Sequence, residues 1–348
     1  MAEPSVQLSF YKSSILKDKT PYKVLGDSFY RTSSKKTSAK KPLVQKSTPQ
    51  ISADWTPKQI YDVLDAQLYG NETYKKTISI FLWRILNGYR PKGALLTIGQ
   101  SGCGKTELLR VLEKIYPCMQ IIDGANCINS SYTGENNIQA NLYILKEKSK
   151  QYPNMVPILV MDEFDKYLTN DFQDKHNASA LPELYRMIEG MSFPYRPTKN
   201  GPVETVDCTD VVCIFAGSFA QYAQSSISGI GFSACDISHR KNAKVPTLDE
   251  VNKILPPELK GRIEDIIFTD EFDANDFANI MRNQTYSPLV RIGSEFGIKI
   301  TATDTYIKQV ADAAFSEGTG VRSLNTAVMR EVNDRIFDNP NIKTIKLK

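Results

Sequence analysis

Between residues 94 and 217 the apolar positions come in short unbroken runs, ALLTI, PILVM and VVCIFA, with no polar alternation inside them. Such runs suit central strands of a parallel sheet that is covered on both faces. The segments around them follow a different period. PKQIYDVLDAQLYG and NETYKKTISIFLWRIL place apolar residues at helical spacing, the second opened by Asn71 as a cap with Glu72 in the first turn. TELLRVLEKIY reads as a helix directly after ALLTI and a glycine-rich turn. Beyond about residue 270 the pattern is helical, in DANDFANIMRN, TDTYIKQVADAAF and VRSLNTAVMREVNDRIF. No internal repeat is visible. The expected fold class is α/β, a parallel sheet flanked by helices, followed by a small helical domain.

The turn after ALLTI carries the chemistry. Gly99, Gln100, Ser101, Gly102, Cys103, Gly104, Lys105 and Thr106 satisfy GxxxxGK[ST] at every fixed position, between a strand-like and a helix-like segment. Glycines let backbone N–H groups converge on phosphate oxygens, and the helix N-terminus adds its positive dipole. Lys105 neutralises β/γ charge, and the Thr106 hydroxyl ligates Mg²⁺. The second run ends in Asp162 and Glu163. Asp162 is placed to hold the Mg²⁺ water shell, and Glu163 to polarise a water for in-line attack on the γ-phosphate. The expected ligands are ATP and Mg²⁺. The loop itself does not encode the base.

Charge is unevenly distributed. The chain's formal net charge is +4, yet residues 1–50 carry ten Lys/Arg against three Asp/Glu. Residues 1–52, rich in Ser, Thr, Lys and Pro, are expected to form a flexible basic arm. Its charge suits nucleic acid, an acidic partner or an organelle presequence as well as a solvated linker. No basic stripe with interleaved aromatics follows residue 50, which argues against nucleic acid as the working partner. Six cysteines with no CxxC pair, and two histidines, His176 and His239, argue against a zinc site. No apolar run is long enough for a membrane helix, so the expected location is the cytoplasm, with an organelle matrix as the alternative.

From about Leu64 to Pro340 the chain resembles the ClpX-like AAA+ protein unfoldases. QLYGNETYKK is similar to that family's adenine-side segment, which puts Leu68 and Tyr69 near the base. SYTGENN resembles the substrate-gripping pore loop, with Tyr132 as its aromatic. LPPELKGRIEDII resembles the segment carrying the arginine finger, here Arg262, which reaches a neighbour's ATP. GTGVRSLN resembles the sensor-2 motif, with Arg322 contacting phosphate from the small domain. At AGSF the sensor-1 position falls on Gly217 or Ser218, and Ser218 is preferred because its hydroxyl can position water. SSISGIGFSACD holds Ile230, Gly231 and Phe232, similar to the tripeptide that docks into a ClpP-like peptidase.

The resemblance implies an AAA+ P-loop NTPase with a large nucleotide-binding domain over 53–270 and a helical lid over 271–348. It implies a homo-oligomer, a hexameric ring, acting on protein substrates. The family's zinc-binding N-terminal domain has no counterpart before residue 64. Axial loops are expected in the insert from Asp174 to Asp207, where Lys175, Arg196 and Lys199 line an entrance or are solvated charges. Three functions stay open: a protein unfoldase, a nucleic-acid remodeller or helicase loader, and a nucleotide switch without mechanical output. Glu163 and the two arginines favour turnover.

Overall fold

In a computed structural model of the chain the described residues are 50–127, 137–173, 180–197, 201–220, 222, 245–318 and 320–348, the side chains of 170–173 and 180 apart. Residues 1–49 of the arm, the pore-loop residue Tyr132, the tripeptide Ile230, Gly231 and Phe232, both histidines, Lys175 and Lys199 lie outside them.

Helix α1 (Pro57–Asp65) starts where the Thr56 side chain accepts from the Gln59 N–H while Gln59 accepts from the Thr56 N–H, with proline at the first helical position. Helix α2 (Glu72–Leu86) packs on it. Strand β1 (Ala94–Ile98) leads into α3 (Lys105–Ile115), then β2 (Met119–Asp123) and α4 (Ile138–Gln151), which Asn137 caps through the Ala140 N–H at 2.7 Å. Strand β3 (Ile158–Asp162) and α5 (Phe164–Gln173) follow, then α6 (Ala180–Ile188), an antiparallel pair β4 (Phe193–Tyr195) and β5 (Glu204–Val206), and β6 (Val212–Gly217). Helices α7 (Leu248–Ile254) and α8 (Pro257–Lys260) precede β7 (Ile263–Phe268).

The five central strands are parallel, in the order β2-β3-β6-β1-β7. Their side chains divide by alternation. Leu96, Ile98, Leu159, Met161 and Phe215 join one core with α4, α5 and α6, while Leu95, Ile158, Val160, Ile214 and Ala216 join the other with α1, α2 and α3. Two buried faces with period two require both parities to be apolar, hence the unbroken runs. Phe215, fully buried and stacked on Phe164 at 4.3 Å, contributes about 2–3 kcal/mol by burial alone.

Residues 274–347 build a third core from α9 (Ala274–Arg282), α10 (Pro288–Phe296), α11 (Asp304–Glu317) and α12 (Val321–Asp338). Three findings depart from the sequence reading. This C-terminal part is not purely helical, because β8 (Lys299–Ala302) and β9 (Thr344–Leu347) pair in parallel, burying Ile300, Ile345 and Leu347. Asn71 precedes α2 as expected but adopts φ 57° and makes no capping bond; its amide is used elsewhere. The end of the expected arm belongs instead to the folded body, because Ile51 is buried in a core with α1, α2 and α3 residues and its N–H donates to Ile115 O at 2.9 Å.

Candidate functional site

The C-terminal ends of β1, β3 and β6 are neighbours, the place where open parallel sheets bind ligands. Residues 99–104 leave β1 there. The Gly99 N–H donates to Gly217 O at 3.2 Å, pinning the loop's entry to the end of β6. Gly104 closes the loop at φ 96°, which favours glycine, and no side chain caps α3 behind it. The first-turn N–H groups of α3 are left for an anion.

Lys105 is buried, and its Nζ donates to Gly99 O at 2.6 Å and Gln100 O at 2.7 Å. The lysine is folded back onto its own loop. Thr106 Oγ1 donates to Asp162 Oδ2 at 2.7 Å, and Asp162 Oδ1 accepts from the Glu163 N–H at 2.9 Å. Two oxygen ligands of the kind magnesium takes thus stand side by side. Glu163 has φ 53° and pairs with Lys166 at 2.5 Å; this contact outweighs desolvation and raises the lysine's pKa. Among the described residues the non-glycines with positive φ are Asn71, Glu163 and Phe219. One borders the cavity, one follows Ser218 and one grips the loop, as expected of strain kept at a working site.

A cavity of about 510 Å³, within the size range of small-molecule sites, joins these groups. Leu68, Tyr69, Lys105, Thr106, Asp162, Glu163 and Arg322 of α12 all line it. Leu68 is fixed from behind, where the buried Lys75 donates to its carbonyl at 3.2 Å and pairs with Asp65. Tyr69 turns its hydroxyl to α9, donating to Asp276 at 2.9 Å and accepting from Asn279 at 3.2 Å. Ser218 borders the cavity too, held by Asp165.

Arg262 is not brought to this cavity. It directly precedes β7, and its carbonyl accepts from the Ala94 N–H at 2.7 Å, at the N-terminal end of β1. Five residues of strand separate it from the glycine loop, roughly 13–16 Å at about 3.3 Å per residue. Its guanidinium pairs with Glu189, donates to Glu258 O and stacks over the Tyr185 ring at 5.0 Å.

Several residues at the site carry no motif. Asn71 is fully buried, donates from Nδ2 to Cys103 O at 2.7 Å and accepts from the Asp270 N–H at 2.9 Å. Asp165 holds Ser218 and Phe219, and Arg291 of α10 reaches Glu107 of α3 at 3.5 Å. Their signals are partner distances of 32 to 199 residues, invisible to local pattern. No group of three or more His, Cys, Asp or Glu able to hold a metal occurs among the described residues. None of their helices is long and apolar enough to cross a membrane.

Residues 90–266 match the model of the AAA domain (Cdc48 subfamily). Proteins named ATP-dependent Clp protease ATP-binding subunit ClpX are similar along most of their length. The one from Treponema denticola is 24% identical over 83% of this chain and 78% of its own. Those from Azotobacter vinelandii and Borrelia duttonii are each 24% identical, over 85% and 84% of this chain and 76% of theirs. With a parallel sheet flanked by helices, a glycine loop at the end of β1 and a carboxylate pair at the end of β3, the chain belongs to the AAA domain family and is ClpX-like.

Proposed function

We propose that the chain is an ATP-driven protein unfoldase of the ClpX type. It hydrolyses ATP with Mg²⁺ at the interfaces of a six-membered ring and moves the lid, residues 271–348, against the large domain, residues 53–270. That movement pulls polypeptide through an axial pore. The observation that carries the reading is the convergence of Lys105, the Thr106–Asp162 pair, Glu163 and Arg322 on one cavity.

Each group has a role. The loop N–H groups bind phosphate oxygens, and Lys105 exchanges the Gly99 and Gln100 carbonyls for β/γ oxygens. Thr106 and Asp162 hold the magnesium ion, which neutralises phosphate charge when bound. Glu163 leaves Lys166 to polarise the attacking water. Leu68 and Tyr69 flank the adenine, Ser218 occupies the sensor-1 position, and Arg322 contacts phosphate from the lid. Arg262 serves the neighbouring subunit's ATP, a role supported by its distance from its own loop. Tyr132 grips the substrate, and Ile230, Gly231 and Phe232 dock a ClpP-like peptidase. These last assignments rest on motif likeness and on relatives named as ATP-binding subunits of a Clp protease.

Trapping tests the reading. Glu163→Gln should bind ATP without turnover, and Lys105→Ala should lose ATP. The Glu163→Gln protein, purified with ATP from its own cell, should retain unfolded polypeptides. Hydrolysis by Glu163→Gln within about threefold of wild type ends the assignment. Recovery of DNA in place of polypeptide transfers it to a nucleic-acid remodeller.

A further inference from the structure

We infer that Asp165 is a positioning residue that fixes the donor–acceptor polarity of the Ser218 hydroxyl, so that toward the cavity Ser218 accepts a hydrogen bond from the attacking water and has none to donate to the γ-phosphate. The inference rests on the site being one of ATP hydrolysis.

Asp165 lies in the first turn of α5, two residues past Glu163, and is 4% exposed. Its Oδ1 accepts from the Ser218 N–H at 3.1 Å. Its Oδ2 accepts from Ser218 Oγ at 3.0 Å and from the Phe219 N–H at 3.2 Å. Each Asp165 oxygen already accepts a backbone N–H, and Ser218 is the donor in the Oγ to Oδ2 contact. A serine hydroxyl carries one hydrogen and two lone pairs; with the hydrogen committed, only lone pairs remain for the cavity.

The arrangement is held rigidly. Two backbone N–H groups anchor the same carboxylate, Phe219 keeps φ 52°, and a β-carbon on Gly217 would stand 2.7 Å from Asp165 Oδ1. Turning the hydroxyl toward the cavity forfeits a charge-assisted bond in a nearly dry place.

Phosphate oxygens are acceptors, so an acceptor-only hydroxyl does not suit them. Water suits it. Glu163 and Ser218 border the same cavity, and each accepts one water hydrogen, which leaves the water's lone pairs for phosphorus. The water oxygen bonds to the γ-phosphorus as the bond from phosphorus to the β–γ bridging oxygen breaks. ADP leaves with that electron pair, and the water proton passes to Glu163.

Steady-state ATPase and the affinities for fluorescent ATP and ADP analogues decide the matter, with affinities read in a Glu163→Gln background. Ser218→Ala should lower kcat about tenfold or more and leave both affinities within about twofold, whereas Ser218→Thr, which keeps the hydroxyl, should retain most activity. Asp165→Asn should lower kcat similarly, and the double variant should be no worse than the poorer single one, because both remove the same act. Loss of ATP but not ADP affinity in Ser218→Ala would mean that the hydroxyl donates to the γ-phosphate, and overturns the inference. So does an unchanged kcat in Ser218→Ala, or additive losses in the double variant. If Asp165→Asn does not fold, the Ser218→Ala affinities and the Ser218→Thr rescue decide alone. Absence of ATPase in the wild type, or its survival in Glu163→Gln, brings down the underlying reading and the inference together.

Discussion

Gly320 and Gly102 are in backbone contact: the Val321 N–H donates to Gly102 O at 3.2 Å, and a β-carbon on Gly320 would stand 2.7 Å from the Gly102 Cα. The turn that opens α12 therefore rests directly on the phosphate loop. Gly320 has φ 68° and ψ −153°, a region that side chains other than glycine's essentially never occupy. Gly320→Ala should weaken ATP binding and cost about 1–3 kcal/mol. By thermal melting that is a fall of about 2–4 °C per kcal/mol. Gly261→Ala, where a β-carbon meets nothing within 4 Å and the backbone is right-handed helical, should change neither.

Arg262 and Lys105 stand at opposite ends of β1, so under the ring proposal they serve different ATP molecules. Arg262→Ala should keep ATP binding and lose hydrolysis, while Lys105→Ala loses binding but still offers its arginine. Mixing the two inactive proteins should restore part of the ATPase wherever an Arg262→Ala subunit faces a Lys105→Ala neighbour. A mixture no more active than its components would place Arg262 outside the reaction.

The difference between those two residues also marks how far the sequence could be read. Gly99 to Thr106 and Asp162–Glu163 are legible because each is a local pattern at a strand end, and one chain segment suffices to build it. The sheet was legible because ILVM and VVCIFA must be apolar on both faces. Asn71 was misread, since a buried amide joining Cys103 to Asp270 has the same local sequence as a helix cap. Strands β8 and β9 were missed because KITA and TIKL are four residues each, apolar only at alternate positions, and pair across 45 residues. The hydrogen bonds of Ser218 to Asp165 span 53 residues, so no local pattern at AGSF could show them.

Buried thiols give a pH dependence. Burial pushes Cys118 up to about 11 from the ordinary 9.0, and Cys127 and Cys208 up to about 12. Burial raises Tyr74 and Tyr116 as well. A raised folded value means that the folded state holds its protons more firmly than the unfolded chain. The stability this contributes is complete below pH 9 and is lost as pH rises through the 9–12 window. The urea midpoint should fall between pH 8 and pH 10.5. At pH 8 a thiol reagent should label Cys118, Cys127 and Cys208 far more slowly in the native protein than in urea. Equal rates would mean that these side chains are not enclosed as described.

Asn71 offers the sharpest separation of a bond from a backbone preference. Its Nδ2 donates to Cys103 O within the phosphate loop, its Oδ1 accepts from the Asp270 N–H on the segment leading to α9, and its φ of 57° is left-handed. Asn71→Asp keeps the shape and the second bond but sets an acceptor against the Cys103 carbonyl. It should cost about 1–3 kcal/mol, since a buried acceptor loses its partner and faces another. Asn71→Gly removes both bonds but suits the backbone, whereas Asn71→Ala removes both and adds about 1–2 kcal/mol of left-handed strain. Urea denaturation should therefore rank Asn71→Ala below Asn71→Gly. If the amide holds the loop in its binding form, ATP affinity should fall in Asn71→Asp as in Asn71→Gly. Unchanged affinity in both would reduce the bond to a structural tie.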